Sequence, residues 1–312
     1  MLQIRRLAWV VTLELLGCDA AAHIRLLEPA ETAAPWMDAS PPASPGEPEA
    51  GIELRDAASP PEPMPNQEPP NRRDSGPPPV ADADAGSPPI SPSEDALVLR
   101  YDFSGDGDVV RDLIGDQDAR LFGGTMLSPD RTFISLDGID DYVDIPNGVV
   151  SGLRSATFVA WLTWNGGVCW QRIFDFGISD QGEDQVGDSV TSLFMTPKAC
   201  GRETFTAMAE VAPAQYAVAA DEALPTGYAL QVALVVDGES QTFTLYRDTE
   251  KVAEAAMAFQ LEQLTDANNW LGRSQWAQDA FFTGAIGEFR IYSRVLSAQE
   301  IAQVRAEGFE TP

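Results

Sequence analysis

Apolar and polar side chains alternate in short runs over the last two thirds of the chain. LVLRYDF (97–103) places Leu97, Leu99, Tyr101 and Phe103 on one face, the period-2 pattern of a half-buried strand. RTFISLDG (131–138) ends at a turn, and YVDIP (142–146) stops at Pro146 and Asn147-Gly148. ATFVAWLTW (156–164) is apolar on both faces, which predicts a central, fully covered strand. RIFDFG (172–177) alternates again. YALQVALVVDG (228–238) runs into Asp237-Gly238 and is followed by SQTFTLYRD (240–248), a hairpin pattern. GAIGEFRIYS (284–293) carries Ile286, Phe289 and Ile291 in a strand interrupted by Gly287. Ser297-Ala-Gln-Glu300 has the form of a capping box, with Ile301 and Val304 at helical spacing and Gly308 to end the turn. These elements predict an all-β fold: a two-sheet antiparallel sandwich over residues 96–312 with one short C-terminal helix.

The composition upstream is different. Between Asp19 and Asp95 lie eighteen of the 24 prolines, few aromatics and no sustained period. Such a segment buries too little apolar surface to offset its ordering entropy. It reads as a disordered, acidic, proline-rich linker, a semi-stiff spacer favouring polyproline II. Ahead of it, residues 1–18 read as an export signal, with Arg5 and Arg6 before an apolar run from Leu7 to Gly17 that is too short to span a bilayer. Leu15-Leu16-Gly17-Cys18 resembles a bacterial lipobox. The resemblance implies cleavage before Cys18 and lipidation of that cysteine, although Glu14 and Leu16 depart from the usual pattern.

Charge and histidine content narrow the chemistry. The chain has 48 acidic against 20 basic residues, a formal net charge of -28. That excludes a nucleic-acid partner, which needs clustered Lys/Arg, and leaves contact with a membrane only through a lipid anchor. The sole histidine is His23, so imidazole-based triads and zinc sites in the domain are excluded. Cys169 and Cys200 are the only cysteines of the domain. In an exported chain an even pair is read as a disulfide, with two free buried thiols as the alternative. Trp164, Trp170, Trp270 and Trp276 offer faces for sugar rings. Trp170 and Trp276, in predicted loops, are the ligand-binding candidates, and core packing is the competing role.

YDF (101–103), SLDGIDDYVDIP (135–146), TFVAWL (157–162), RIFDFG (172–177), TLYRD (244–248), NWLGRS (269–274) and FFTGAIGEFRIYSRVLSAQEI (281–301) occur in an order that resembles the laminin-G-like jelly rolls of the concanavalin-type lectins and pentraxins. One motif is weak, since Ala229 and Gln231 stand where that family has tryptophan and histidine. The resemblance implies a non-catalytic role and often a structural Ca²⁺. The Asp- and Gly-rich segment 104–118 suits such an ion, and the resemblance points to Asp112 with Asp116 nearby meeting Glu288, and to Asp102 as a further ligand. Asp140, Asp141 and Asp144 are carboxylates in one short stretch, but the hydrolases of this fold carry Glu-x-Asp-x-Glu, which is absent here. Asp140 and Asp141 therefore read as closing a turn. The expected function is a cell-surface binding module on a flexible stalk, with a glycan or an extracellular protein as ligand. A carbohydrate-active enzyme of the same fold and a passive envelope scaffold are the alternatives.

Overall fold

The computed structural model describes residues 96–308. The export signal, Cys18 and the linker lie outside the described residues. In chain order the strands are β1 (Leu97–Tyr101), β2 (Val109–Val110), β3 (Ala119–Phe122), β4 (Met126–Leu127), β5 (Ile134–Asp137), β6 (Tyr142–Ile145), β7 (Ala156–Trp164) and β8 (Phe174–Ser179). They continue as β9 (Ser189–Ala199), β10 (Thr204–Val211), β11 (Ala214–Ala219), β12 (Ala229–Asp237), β13 (Thr242–Arg247), β14 (Glu250–Ala256), β15 (Asn268–Leu271) and β16 (Thr283–Tyr292), followed by helix α1 (Ala298–Glu307).

Two eight-stranded sheets form, and every pairing is antiparallel. The first runs β14-β13-β12-β7-β16-β5-β4, with β1 added to the far half of β16. The second runs β11-β10-β9-β8-β15-β6-β3-β2. The faces that meet hold the main core. Phe158, Leu162 and Trp164 of β7 and Val232 and Leu234 of β12 join Phe174, Phe176, Leu193 and Met195 of the second sheet there. Phe174, Phe176, Phe158 and Phe289 form a ring cluster at its centre, with centroids 5.0–6.2 Å apart, a separation at which aromatic pairs add to simple burial.

The first sheet is also covered on its other side, which explains why β7 is apolar on both faces. Val159 and Trp161, with Ala233, Val235 and Tyr292, pack under Leu296, Ile301 and Val304 of the α1 region. The predicted cap holds the helix there: Ser297 Oγ accepts from Glu300 N–H, and the Glu300 carboxylate accepts from Ser297 N–H at 2.8 Å. A Cβ at Gly308 would fall 2.1 Å from the Trp161 ring, so glycine lets the helix end descend onto the sheet.

Two bulges reset which side chains face the core. One lies between Ile286 and Glu288 of β16, at the predicted interruption, and it keeps Ile286, Phe289 and Ile291 all inward. The other lies between Leu97 and Leu99 of β1. It turns Leu97 toward the cluster under α1, whereas the simple alternation puts Leu97 on one face with Leu99, Tyr101 and Phe103. Those three are in the main core.

Candidate functional site

On the outer face of the second sheet the pairing sets side chains in one transverse row. Phe194 of β9 faces Asp175 of β8, Asp175 faces Trp270 of β15, Trp270 faces Asp144 of β6, and Asp144 faces Arg120 of β3. Strand alternation puts all five on the side opposite the core. Polar and aromatic residues here are thus dictated by register.

Three loops close over one end of this row. The first, between β7 and β8, is braced by Gln171, whose Oε1 accepts from Trp164 Nε1 at 2.9 Å and from Thr283 N–H at 3.1 Å. The second, between β8 and β9, is tied down by Asn268, whose Nδ2 donates to the carbonyls of Gly182 and Gln185. The third, between β15 and β16, is anchored by Gln275 N–H donating to Asp175 Oδ2 at 3.1 Å and by Gly187 N–H donating to the Gln275 carbonyl at 2.9 Å.

Arg172 stands where these parts meet, only 1% exposed. Its Nε donates to Asp175 Oδ2 at 3.2 Å, its Nη2 to Asp279 Oδ2 at 2.7 Å and its Nη1 to the Trp170 carbonyl at 2.6 Å. The guanidinium carbon lies 3.8 Å from the Phe194 ring centroid, 5.4 Å from that of Trp276 and 5.8 Å from that of Trp170, within cation–π range. Both tryptophans stand edge-on to Phe194, at 6.4 Å for Trp170 and 5.7 Å for Trp276. The two predicted ligand residues, far apart in sequence, therefore flank one guanidinium, and both are partly exposed. Trp164 and Trp270 are buried, as packing residues are.

Beside this group, Arg273 lies 4.2 Å from the Trp270 centroid and 4.5 Å from that of Tyr142, while Trp270 Nε1 donates to Asp144 Oδ1 at 3.0 Å. Burial pushes the Asp144 carboxyl up, and the charge of Asp184 adds to that. Asp175 is fully buried, and burial pushes its carboxyl up to about 7 against the opposing pull of Arg172.

Cys169 and Cys200 form a disulfide with Cα atoms 5.3 Å apart. It continues the β8–β9 register: Phe174 faces Met195, and five residues further toward the open end the cysteines meet. Trp170 follows directly, with φ at 65° and its N–H donating to the Lys198 carbonyl at 2.9 Å. The crosslink thus fixes one of the two exposed tryptophans.

The four expected calcium ligands are not gathered for a cation. Asp112 Oδ1 accepts from Arg100 and Ile114 N–H, and its Oδ2 from Gly115 and Gln117 N–H. Its oxygens organise a loop. Glu288 Oε1 accepts from Arg100 Nε at 2.6 Å and Arg290 Nε at 2.7 Å, so its charge is already met. Asp102 Oδ1 accepts from Ser104 N–H, and Asp116 is exposed. Asp112 and Glu288 do share a neighbour, but it is Arg100, and this residue set does not fit a metal ion. Among the described residues, the carboxylates grouped closely enough for a metal are Asp137, Asp140 and Asp141, with oxygens within 4.8 Å of one another.

Phe194 and Asp279 carry no motif that marks them in the sequence, and Arg172 opens the RIFDFG stretch without a feature that marks it as part of a site. Asp175 had a signal, as the polar position between two core phenylalanines in RIFDFG.

Comparison with known proteins places this architecture. No curated protein matches the chain by sequence. Domain 4 of AbnA, a GH43 extracellular arabinanase from Geobacillus stearothermophilus solved with arabinotriose, is similar in structure at 17% identity and a TM-score of 0.55, covering 67% of this chain and 98% of its own. Trypanosoma rangeli sialidase in complex with sialic acid is similar at 16% identity and a TM-score of 0.51, over 68% of this chain and 33% of the sialidase. The receptor-binding domain of botulinum neurotoxin C/D mosaic serotype is similar at 13% identity and a TM-score of 0.51, over 69% of this chain and 52% of that one. This chain therefore spans about a third of the sialidase and half of the toxin domain, and the likeness at these identities is one of fold. Residues 137–302, more than half of the chain, match the family described as the concanavalin A-like lectin/glucanases superfamily, and the protein belongs to it.

Proposed function

We propose that this protein is a binding module of the cell surface whose ligand is a glycan, held at the Trp170–Arg172–Trp276 group. The observation that carries the reading is the convergence of two partly exposed tryptophans on one buried arginine. Indole faces suit the apolar faces of sugar rings, and pre-formed aromatic sites with a few fixed polar groups are the usual form of small-ligand sites. Arg172 is a positioning residue here: it is buried, and three of its five N–H donors are taken by Asp175, Asp279 and a carbonyl, so it fixes the tryptophans rather than meeting a ligand. The same placement supports a binding role over a catalytic one, because the Asp175 carboxyl, pushed up to about 7 by burial, is sealed beneath that guanidinium. The arabinotriose bound by the arabinanase domain accords with a glycan ligand.

The test is a glycan array probed with the full chain, followed by titration of the strongest glycan. Trp170→Ala and Trp276→Ala should each weaken binding about tenfold or more, with circular dichroism unchanged. Binding indifferent to both replacements would sink the site, and an array without any hit would favour a protein ligand.

We further propose that the chain is exported and anchored through Cys18. A disulfide persists in an oxidising compartment, which accords with the Leu15–Cys18 motif. On detergent phase partition of bacterial cells, the wild-type chain should enter the detergent phase and Cys18→Ser the aqueous phase. Equal partition of the two would reject the anchor.

A further inference from the structure

We infer that the glycan carries a carboxylate and that Arg273 receives it, an inference that rests on the glycan reading above and names the class of sugar. After β15 the chain turns at Gly272, whose φ is 89°, a conformation that suits glycine. The turn sets Arg273 on the outer face of the second sheet. Its guanidinium carbon lies 4.2 Å from the Trp270 centroid and 4.5 Å from that of Tyr142. Phe122, opposite Tyr142 in the β3–β6 register, stacks on it at 4.9 Å. Guanidinium and rings thus form one run across β15, β6 and β3, ending at Phe122, which is 39% exposed.

The two arginines of this face differ in what they are bonded to. Arg172 is held by Asp175, Asp279 and a carbonyl. Arg273 forms no ion pair, since no carboxylate oxygen of the described residues comes within 4.0 Å of it. Its Nε is buried without a hydrogen-bond partner, a costly state for a charged donor. The Tyr142 hydroxyl and the Asp144 carboxyl feel its charge, which holds both down against burial, but neither takes a hydrogen bond of normal geometry from it. The nearby acids are turned to other donors: Asp144 Oδ1 accepts from Trp270 Nε1, and Glu183 Oε1 accepts from Asn147 Nδ2 at 2.6 Å. The donors of Arg273 are left for a group from outside.

A carboxylate is the group that gains most there. The planar fork of arginine matches a carboxylate with two parallel bonds, and charge-assisted hydrogen bonds are about twice as strong as those to a neutral hydroxyl. The surroundings also set a limit. Asp184 and Glu183 lie close to Asp144, and these acids repel a chain of many negative charges, so the ligand that fits bears an isolated carboxylate. Arg172 lies over Phe194 of β9 and Arg273 over Trp270 of β15, with β8 between them. That is a separation of about 10 Å at the usual strand spacing, so one oligosaccharide can lie against Trp276 and reach Arg273.

The experiment applies the full chain to an array that pairs each uronic-acid glycan with its neutral counterpart, a hydroxymethyl group replacing the carboxylate, and titrates the strongest pair in solution. The wild type should favour the carboxylated member about tenfold or more, the scale of one charge-assisted hydrogen bond, and added salt should narrow the preference. Arg273→Gln, which keeps a planar amide over Trp270 without the charge, should erase the preference and bind the neutral member as the wild type does. Its urea midpoint should stay close to that of the wild type, because no ion pair is broken. Arg273→Lys, with the charge but not the fork, should keep only part of the preference. Equal affinity for the two members, or a preference that survives Arg273→Gln, would overturn the role of Arg273 and leave the tryptophan site standing. An undiminished preference in Arg273→Lys would overturn recognition by the fork, even if the glutamine variant failed to fold. A preference lost in Arg273→Gln but indifferent to Trp276→Ala would keep the carboxylate site and remove the tryptophans from it. An array without hits from either set would overturn both readings.

Discussion

Arg172→Met is expected to lower stability by about 3–5 kcal/mol at neutral pH and to abolish ligand binding, because it removes one member of a buried ionic group and leaves the others. Methionine fills much of the volume over Phe194, so lost packing is the smaller part. The larger part is electrostatic. Asp175 is fully buried and Asp279 is partly buried, and both direct an oxygen at this guanidinium. The effect carries a pH signature. Burial raises the folded-state pKa of Asp175 from 3.8 to about 7. The folded chain therefore holds this proton more tightly than the unfolded chain, and the resulting stabilisation is full below about pH 4 and is lost as pH rises through about 7. Removing Arg172 deletes the pull that opposes the shift, so the raised pKa climbs further and the loss extends to higher pH. Urea unfolding should show a larger deficit for Arg172→Met at pH 8 than at pH 5. Adding Asp175→Asn should restore part of the deficit at pH 8, since paired sites in one network are not additive. Equal deficits at both pH values would mean that Arg172 acts by packing alone.

The sequence-level reading succeeds where one physical rule decides the outcome. ATFVAWLTW reads as a central strand because no face of it tolerates water, and β7 is covered by the second sheet on one side and by the α1 cluster on the other. The capping box fixes α1 because Ser297 Oγ accepts from Glu300 N–H and the Glu300 carboxylate accepts from Ser297 N–H, with Arg294 paired to its other oxygen. The stretch 189–219 is less legible. SVTSLFMTPKA contains Pro197 and many hydroxyl residues, and TFTAMAEV and AQYAVAA are rich in alanine, which has low strand propensity. These segments are strands because β8 offers β9 an edge, β9 offers one to β10 and β10 one to β11, and that is tertiary context. The candidate sites divide in the same way. Trp170 and Trp276 stand out by residue type and by their loops, but their meeting around Arg172 depends on a register between β8, β9 and β15. The acidic segment 104–118 is conspicuous in composition, yet Asp112 is spent on four backbone N–H groups. The tighter group at 137–141 looked like a turn, and it is one.

Replacing Cys169 and Cys200 together by serine is expected to cost about 3–4 kcal/mol, from the loop-closure entropy of a crosslink spanning 31 residues. The bond closes the open end of the β8–β9 hairpin in register. In the folded state it therefore holds together nothing that the sheet does not already bring together, and its contribution lies in the restricted unfolded chain. Two readouts separate that effect from damage to the site. The urea midpoint should fall, and the slope should rise because the uncrosslinked chain unfolds to a more expanded ensemble. Binding at the proposed glycan site, by contrast, should weaken only as far as Trp170 loosens, because Arg172 still donates to Asp175, Asp279 and the Trp170 carbonyl. A variant as stable as the wild type would mean that the crosslink stores strain equal to the entropy it removes. A variant that kept its stability deficit but bound glycan with unchanged affinity would place the hold on Trp170 in Arg172 and in the Trp170 N–H bond to Lys198, and would leave the disulfide with a purely global role.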